Sequence, residues 1–475
     1  MKLLIVGSGP SAYASLLSHS LEGHEVYLVD NSNLLGEKKS SNCLYNNNFI
    51  SGARVIDRLN IYDDTLIEEG NDFPLPSKSF GGFSNVWGGT MFAPTNFELN
   101  KFSELNIDIK YYFEIISSNA TLISSEEKYK SYEMTHRERK IYSNLKSLNN
   151  HDLEIYQSTT WLSKEAFEML SNKNICNNCK SYKWDCNEEK IWNAKSFIKD
   201  KIDKKLITYY PNTKFESFTE NNNLVDCQMI RDNKLFTESF DKVFLCAGAL
   251  STTSIIMQST KISNVEMKNS DMISFPYLSI YRRGRKRHSL SDIFITSESE
   301  NIKIFAQLYG YSKGLLSLAN DAIPLVKYIK KLPNFIFNNF GGVFLFFNDS
   351  VSSTIKISKT QKGLKLEKNN KSSIPKTQVR DLSKNLIKSG VVPLLFLKKY
   401  YNYGKSNHYG GQFPHSNNPD TLNTDRLGRI KGTTNVHIMD ASVLPIINTG
   451  PITGTIMANS YRITKEVFTT SKQSK

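Results

Sequence analysis

The chain begins Met1-Lys2-Leu3-Leu4-Ile5-Val6-Gly7-Ser8-Gly9-Pro10-Ser11-Ala12, and this stretch constrains the fold more than any other. Leu3 to Gly7 reads as a buried parallel strand, followed by a glycine turn and a helix with apolar positions at Tyr13, Leu16 and Leu17. A second apolar strand, Val26 to Val29, ends in the acid Asp30. Each part has a physical role in holding a dinucleotide. Gly7 permits the tight turn, Gly9 lets backbone approach a pyrophosphate, and Ala12 keeps the helix close to the sheet. The helix N-terminus offers N–H groups and its positive dipole end to phosphates. Asp30 is placed to accept hydrogen bonds from a ribose hydroxyl. On these residues alone, nicotinamide and flavin dinucleotides both remain open.

At 475 residues the chain exceeds one simple core, so two or three subdomains are expected. A hydrophobic content of 39% and a charged content of 22% are those of an ordinary soluble globular protein. The net charge of +14 raises nucleic acid or an anionic membrane as partners. Lys and Asn are abundant throughout, however, and the dense run from Arg282 to His288 lacks interleaved aromatics, so it reads as a solvated loop and no nucleic-acid partner is expected. The opening apolar run stops at Gly7, too short for a secretory signal, and six cysteines without a signal suggest a reduced, cytoplasmic, bacterial setting. Leu315 to Phe347 is rich in Leu, Ile and Phe and edged by Lys327, Lys330 and Lys331. It reads as a packed helix pair, with a surface lying peripherally on a membrane as the alternative.

No internal repeat is evident. Three regions look like pieces of one α/β nucleotide domain with a Rossmann-like sheet: residues 1–105, 200–265 and 425–475. Within them Ile207–Tyr210, Leu224–Ile230 and Val243–Cys246 read as strands. Residues 106–199 and 266–424 read as an inserted α+β substrate domain with a mixed or antiparallel sheet, including strands near Lys303–Tyr309 and Ser353–Ser358.

Three further segments carry chemistry. Gly81-Gly82-Phe83-Ser84-Asn85-Val86-Trp87-Gly88-Gly89-Thr90 holds four glycines in nine residues, which implies backbone lying against a flat or phosphorylated group. Val243 to Thr253 reads as a strand, a small-residue turn at Ala247-Gly248, and a helix with Ser251 available as its cap. In the tail, the strand from Val436 ends in Asp440-Ala441, and a helix is expected to start near Pro451, where a missing N–H costs nothing.

Taken in order, these four blocks resemble the glucose–methanol–choline (GMC) family of FAD-dependent oxidoreductases. The likeness covers the N-terminal fingerprint, Gly81–Thr90, the strand ending in Ala247-Gly248, and the tail from His408 to Ile463. The resemblance implies FAD as cofactor. It places Gly7, Ser8, Gly9, Pro10, Ser11 and Asp30 on the ADP half, with Ser84, Asn85 and Gly88 near the pyrophosphate and flavin. Ala247 and Gly248 would lie near the adenosine, and Asp440, Ala441 and Thr453 on the ribityl chain and pyrimidine edge. The family's catalytic histidine lies in a His-x-x-Gly segment, which Asn407-His408-Tyr409-Gly410-Gly411 matches. A neutral imidazole can take the hydroxyl proton of an alcohol as its hydride leaves for a flavin. Many relatives carry a second His or Asn at the start of the last helix. An ungapped comparison puts Pro451 there, leaving Asn448, three residues earlier, as the second catalytic candidate and His415 as another.

Cys176, Cys179 and Cys186 raise a metal or redox hypothesis, with unligated thiols as the alternative. The function expected is oxidation of a CH–OH donor, a small-molecule alcohol, sugar or glycan-linked alcohol, with the electron acceptor undetermined. The alternative is a flavin-binding protein without turnover, acting as a structural or regulatory partner; Pro451 motivates it.

Overall fold

The computed structural model describes residues 1–32, 66–68, 74, 76–85, 87–120, 122–123, 134–148, 152–162, 191–221, 223–282, 291–299, 302–310, 339–361 and 363–473. Its first layer is a parallel sheet in the strand order Val436–Ile438, Lys242–Leu245, Lys2–Val6, Glu25–Val29, Thr208–Tyr210. Chain segments far apart in sequence are thus neighbours in one sheet, each pairing parallel with the next. Leu3, Leu4, Ile5 and Val6 are buried, as a strand covered on both faces requires. The helix Pro10–Leu17 packs against the final helix Thr453–Gln473. Small residues set that closeness: the Ser15 and Ser460 hydroxyls meet at 3.0 Å, and Ser460 Oγ donates to the Ser11 carbonyl at 2.7 Å.

A three-stranded antiparallel meander, Thr213–Asn221, Leu224–Arg231 and Lys234–Phe240, follows the Thr208–Tyr210 strand. Its second turn is Asp232-Asn233, with φ of 50° and 60°, the doubly left-handed form that matches strand twist in two-residue hairpins.

The second layer is a seven-stranded antiparallel sheet. Its order is Val391–Pro393, Met272–Ser279, Phe340–Phe347, Ile302–Gly310, Ser291–Ser299, Leu153–Gln157, and Lys399–Tyr401 also pairs with Met272–Ser279. Side-chain alternation separates its two faces. Ile273, Phe275, Ile304, Ala306, Val343 and Leu345 form one core with Ile141, Leu145, Leu382 and Leu386 of the helices His136–Ser147 and Lys376–Lys388. Their neighbours Met272, Phe305, Phe344 and Phe346 face the other way, toward the parallel sheet's ligand edge. A separate five-stranded sheet, ordered Tyr409–Gly410, Asn264–Asn269, Thr354–Thr360, Gly363–Lys368, Leu66–Glu68, joins the two layers.

Several sequence expectations change. Phe340–Phe347 is a buried strand rather than part of a helix pair, because it is paired on both sides within the sheet. The rest of that apolar segment, 311–338, lies outside the described residues, as do 283–288 of the basic run and Cys176, Cys179 and Cys186. The helix after Leu245 is capped by Gly248 at φ 84°, not by Ser251, which sits within the first helical turn. The final helix starts at Thr453, two residues beyond Pro451. Among the described residues no helix is long and apolar enough to cross a membrane.

Candidate active site

One cleft gathers the carboxyl ends of the parallel strands, the position at which open α/β sheets bind ligands. Gly7 to Ser11, Asp30, Cys246 to Ser251, and Asp440-Ala441 all line it. Gly7 has φ of 95°, and a Cβ on it would lie 2.7 Å from the Cys246 carbonyl oxygen, so the turn fits only without a side chain. Gly9, by contrast, meets nothing within 4 Å at its Cβ position. The space there belongs to the cleft, and it is a cradle that a methyl group would fill. The second glycine segment closes onto the first: the Gly81 N–H donates to Ser8 Oγ at 2.9 Å, and a Cβ on Gly82 would lie 3.5 Å from Gly9 Cα.

Asp440 binds the parts together. One carboxylate oxygen accepts from the Gly248 N–H (2.9 Å) and Thr252 Oγ1 (2.5 Å), the other from the Ser442 N–H (3.0 Å) and Ser442 Oγ (2.6 Å). Burial pushes this carboxyl up, and those four donors pull against it. Asp30 is likewise pushed up by burial, opposed by hydrogen bonds from Ser32 and Ser8.

The histidine segment is fastened to the turn after Asp440. A Cβ on Gly410 would lie 2.3 Å from the Ala441 carbonyl, and that carbonyl accepts the Gly411 N–H at 2.9 Å. His408 follows Asn407, which takes φ of 64°, and its carbonyl accepts from the Ser270 N–H at 2.9 Å. Its half-buried ring stacks on Phe346, with centroids 4.8 Å apart and planes 17° from parallel. His408 therefore lines the same cleft as the glycine turn, on a wall built from Met272, Gln307, Phe344, Phe346 and Tyr401.

Of the residues singled out in the sequence, Gly7, Ser8, Gly9, Pro10, Ser11, Asp30, Gly88, Ala247, Gly248, His408, Asp440, Ala441 and Thr453 line the cleft. Ser84, Asn85 and Asn448 are not among its lining residues. Ser84 Oγ donates to the Gly81 carbonyl and accepts the Ala194 N–H, and Asn85 Nδ2 donates to the Phe80 carbonyl, so both shape their loop. Asn448 is buried, with Nδ2 donating to Thr455 Oγ1 at 2.9 Å, while Pro451 reaches the cleft in its place. The turn before Pro451 is clamped by two carboxylates: buried Glu98 accepts the Thr449 N–H at 2.8 Å, and half-buried Asp349 accepts the Ile447 N–H at 3.1 Å.

His415 sits elsewhere. Its Nδ1 meets the Asp425 carbonyl at 2.7 Å and its Nε2 meets Asn459 Nδ2 at 3.2 Å. Burial, and then the Arg462 guanidinium, push it down to about 3. Both ring nitrogens are engaged in this buried network, and His415 is not among the cleft's lining residues.

Gln307 escaped the sequence reading. It is the lone amide in the apolar run Ile302–Gly310, and only the strand register turns it onto the cleft wall, opposite Phe344 and Phe294. The Tyr309 hydroxyl donates to Gln307 Oε1 at 2.6 Å, which fixes the amide so that its N–H₂ is the end left for a ligand. Among the described residues no cluster of three or more His, Cys, Asp and Glu is placed to hold a metal ion.

Fold and site together define a mixed α/β protein of Rossmann type with a second, antiparallel sheet walling the cleft. Residues 360–460 match the family model described as GMC oxidoreductase. The fold is shared with a solved structure titled pyridoxine 4-oxidase from Mesorbium loti, at a TM-score of 0.61 and 11% identity over 98% of each chain. No curated protein matches the sequence. The family match lies in the C-terminal part of the chain, and the likeness to the solved structure shows the fold.

Two outcomes follow from the geometry. Gly7→Ala should lower unfolding stability by about 1–3 kcal/mol in urea titration, since it adds both a clash and a strained φ. Gly9→Ala should melt within error of wild type yet retain far less flavin on purification; equal flavin content would show that this cradle does not meet the cofactor. The second outcome concerns pH. His415 and His437 are both pushed down to about 3 by burial, against 6.5 when exposed. The unfolded chain therefore binds protons that the folded chain refuses, and stability is lost as pH falls from about 6.5 toward 3. Each histidine contributes a slope of up to about 1.4 kcal/mol per pH unit. Urea unfolding at pH 7, 6 and 5 checks this, and a flat profile would refute it.

Proposed function

We propose that this chain is an FAD-dependent oxidoreductase acting on a CH–OH donor, with His408 as the base that takes the hydroxyl proton. The observation that carries the reading is the stacked His408 ring lining the same cleft as the Gly7–Ser11 turn and the start of the final helix. The residues suit the cofactor: the open cradle at Gly9 for a pyrophosphate, Asp30 for a ribose, and the backbone of Ala441 to Thr453 for the flavin edge. FAD, when bound, supplies the hydride acceptor.

The chain's own residues do the rest. Phe346 holds the imidazole plane, and the Gly410–Ala441 contact holds the segment that carries it. Met272, Phe344 and Tyr401 exclude water from one side of the donor, and the Gln307 N–H₂ donates to its oxygen. That hydrogen bond replaces the one Pro451, lacking an N–H, cannot make. Aromatic faces interspersed with polar groups suit a sugar or glycan-linked alcohol, and the structural neighbour's title adds pyridoxine to the donors worth testing.

His408→Ala should keep its bound FAD and slow anaerobic flavin bleaching by about 10²–10⁴-fold. Unchanged bleaching would mean another group is the base. If no alcohol in a broad panel bleaches the wild-type flavin, the reading without turnover prevails. Gln307→Leu should lower kcat/KM about tenfold, the effect of one lost hydrogen bond to the donor. A variant indistinguishable from wild type in steady-state assay would remove Gln307 from the site.

A further inference from the structure

The outer edge of the seven-stranded sheet is unusually apolar for a surface. Six of the twelve exposed large hydrophobic residues among the described residues lie along it: Leu278, Ile280, Ile387, Val392, Phe396 and Tyr400. Phe396, 81% exposed, is the most exposed of all. The backbone holds them together. Leu278 is the register partner of Val392, the Ile280 N–H donates to the Gly390 carbonyl at 3.0 Å, and the Leu394 N–H donates to the Pro276 carbonyl at 2.9 Å.

The charge these segments leave unpaired is basic; the one carboxylate of the helix Lys376–Lys388, Asp381, pairs with Lys384 at 3.1 Å. Arg282, Lys388 and Lys398 are exposed, and the sequence carries no carboxylate from Met272 to Arg282 or from Leu382 to Pro419. Lys398 lies 5.7 Å over the Tyr400 ring and Lys399 lies 5.3 Å over Tyr401. An apolar tip rimmed by lysine and tyrosine is the composition that settles at the boundary between lipid headgroups and acyl chains. Four of the six, Leu278, Ile280, Ile387 and Val392, are aliphatic and offer a nucleic-acid base no face to stack on. A second copy docked edge to edge would set two basic rims against each other.

The edge also adjoins the cleft. Tyr400 pairs with Ile273, and the next pair in the register, Tyr401 with Met272, lines the cleft wall. We propose that this edge lies on an anionic phospholipid bilayer, and that the cleft takes its alcohol from that surface, as an amphipathic or lipid-linked donor. The docking half stands alone; the donor half rests on the oxidoreductase reading above.

The test is co-sedimentation of the full chain with phosphatidylcholine vesicles, with and without phosphatidylglycerol. Binding is expected to the anionic vesicles at about 0.1 M salt and to weaken as salt rises, because only the basic rim is screened. Phe396→Ser with Ile280→Ser should reduce that binding about tenfold, through loss of buried apolar area. The double variant should keep the wild-type melting temperature and the wild-type flavin reduction rate with a water-soluble donor. Absence of binding to anionic vesicles, or binding equal in the variant, overturns the proposal. So does concentration-dependent dimerisation that the two substitutions abolish, which would give this edge to a second copy. Colourless protein that still sediments with anionic vesicles would sink the oxidoreductase reading and leave the docking intact.

Discussion

The site depends on the carboxylate of Asp440. It stands at the end of the strand Val436–Ile438, and its two oxygens accept four hydrogen bonds, from Gly248, Thr252 and Ser442. These bonds fasten the C-terminal strand to the start of the helix Ala249–Ser259, so two chain segments nearly 200 residues apart reach the cleft in a fixed relation. A buried carboxylate with fewer donors would be costly to keep in that position. Here two of the four donors, the Gly248 N–H and the Thr252 hydroxyl, come from the helix terminus, where N–H groups otherwise lack partners, and Ser442 supplies the other two.

From that anchor the rest of the cleft follows by close backbone approach. Ala441 leaves room only for glycine at position 410, and the contact carries the His408 segment onto the same opening. On the opposite side, Glu98 and Asp349 take backbone N–H groups of Thr449 and Ile447, which sets the angle at which Pro451 and Thr453 enter the cleft. Three carboxylates are therefore used to hold backbone. On the proposed reading, two of the polar groups lining the cleft, His408 and Gln307, act on the alcohol. That arrangement is typical of pockets in which a bound cofactor performs the redox step and the protein orients the donor.

The fingerprint at Gly7–Ala12 and the acid-ended strands were legible because their signals are local: a five-residue apolar run, a turn that needs glycine, and a helix after it. His408 was legible through the glycines around it. Gln307 was not, since an amide in an apolar strand gains meaning only when the register shows which face it occupies. Asn448 misled for the converse reason. Its distance along the chain from Pro451 is short, but the turn between them buries its amide against Thr455. Phe340–Phe347, the end of an apolar run with the composition of a packed helix, is a strand, because pairing with Met272–Ser279 and Ile302–Gly310 satisfies its backbone on both edges.

By itself the sequence determined the parallel layer and the glycine turn at Gly7 that lets backbone segments approach closely. These are properties of short stretches, dictated by backbone sterics and by hydrophobic alternation. Tertiary structure alone decided which side of the seven-stranded sheet walls the cleft, which of the candidate polar groups are consumed in holding the chain, and which apolar residues are left bare at its outer edge. Those outcomes turn on partners contributed from remote segments, and no local pattern encodes which remote partner arrives.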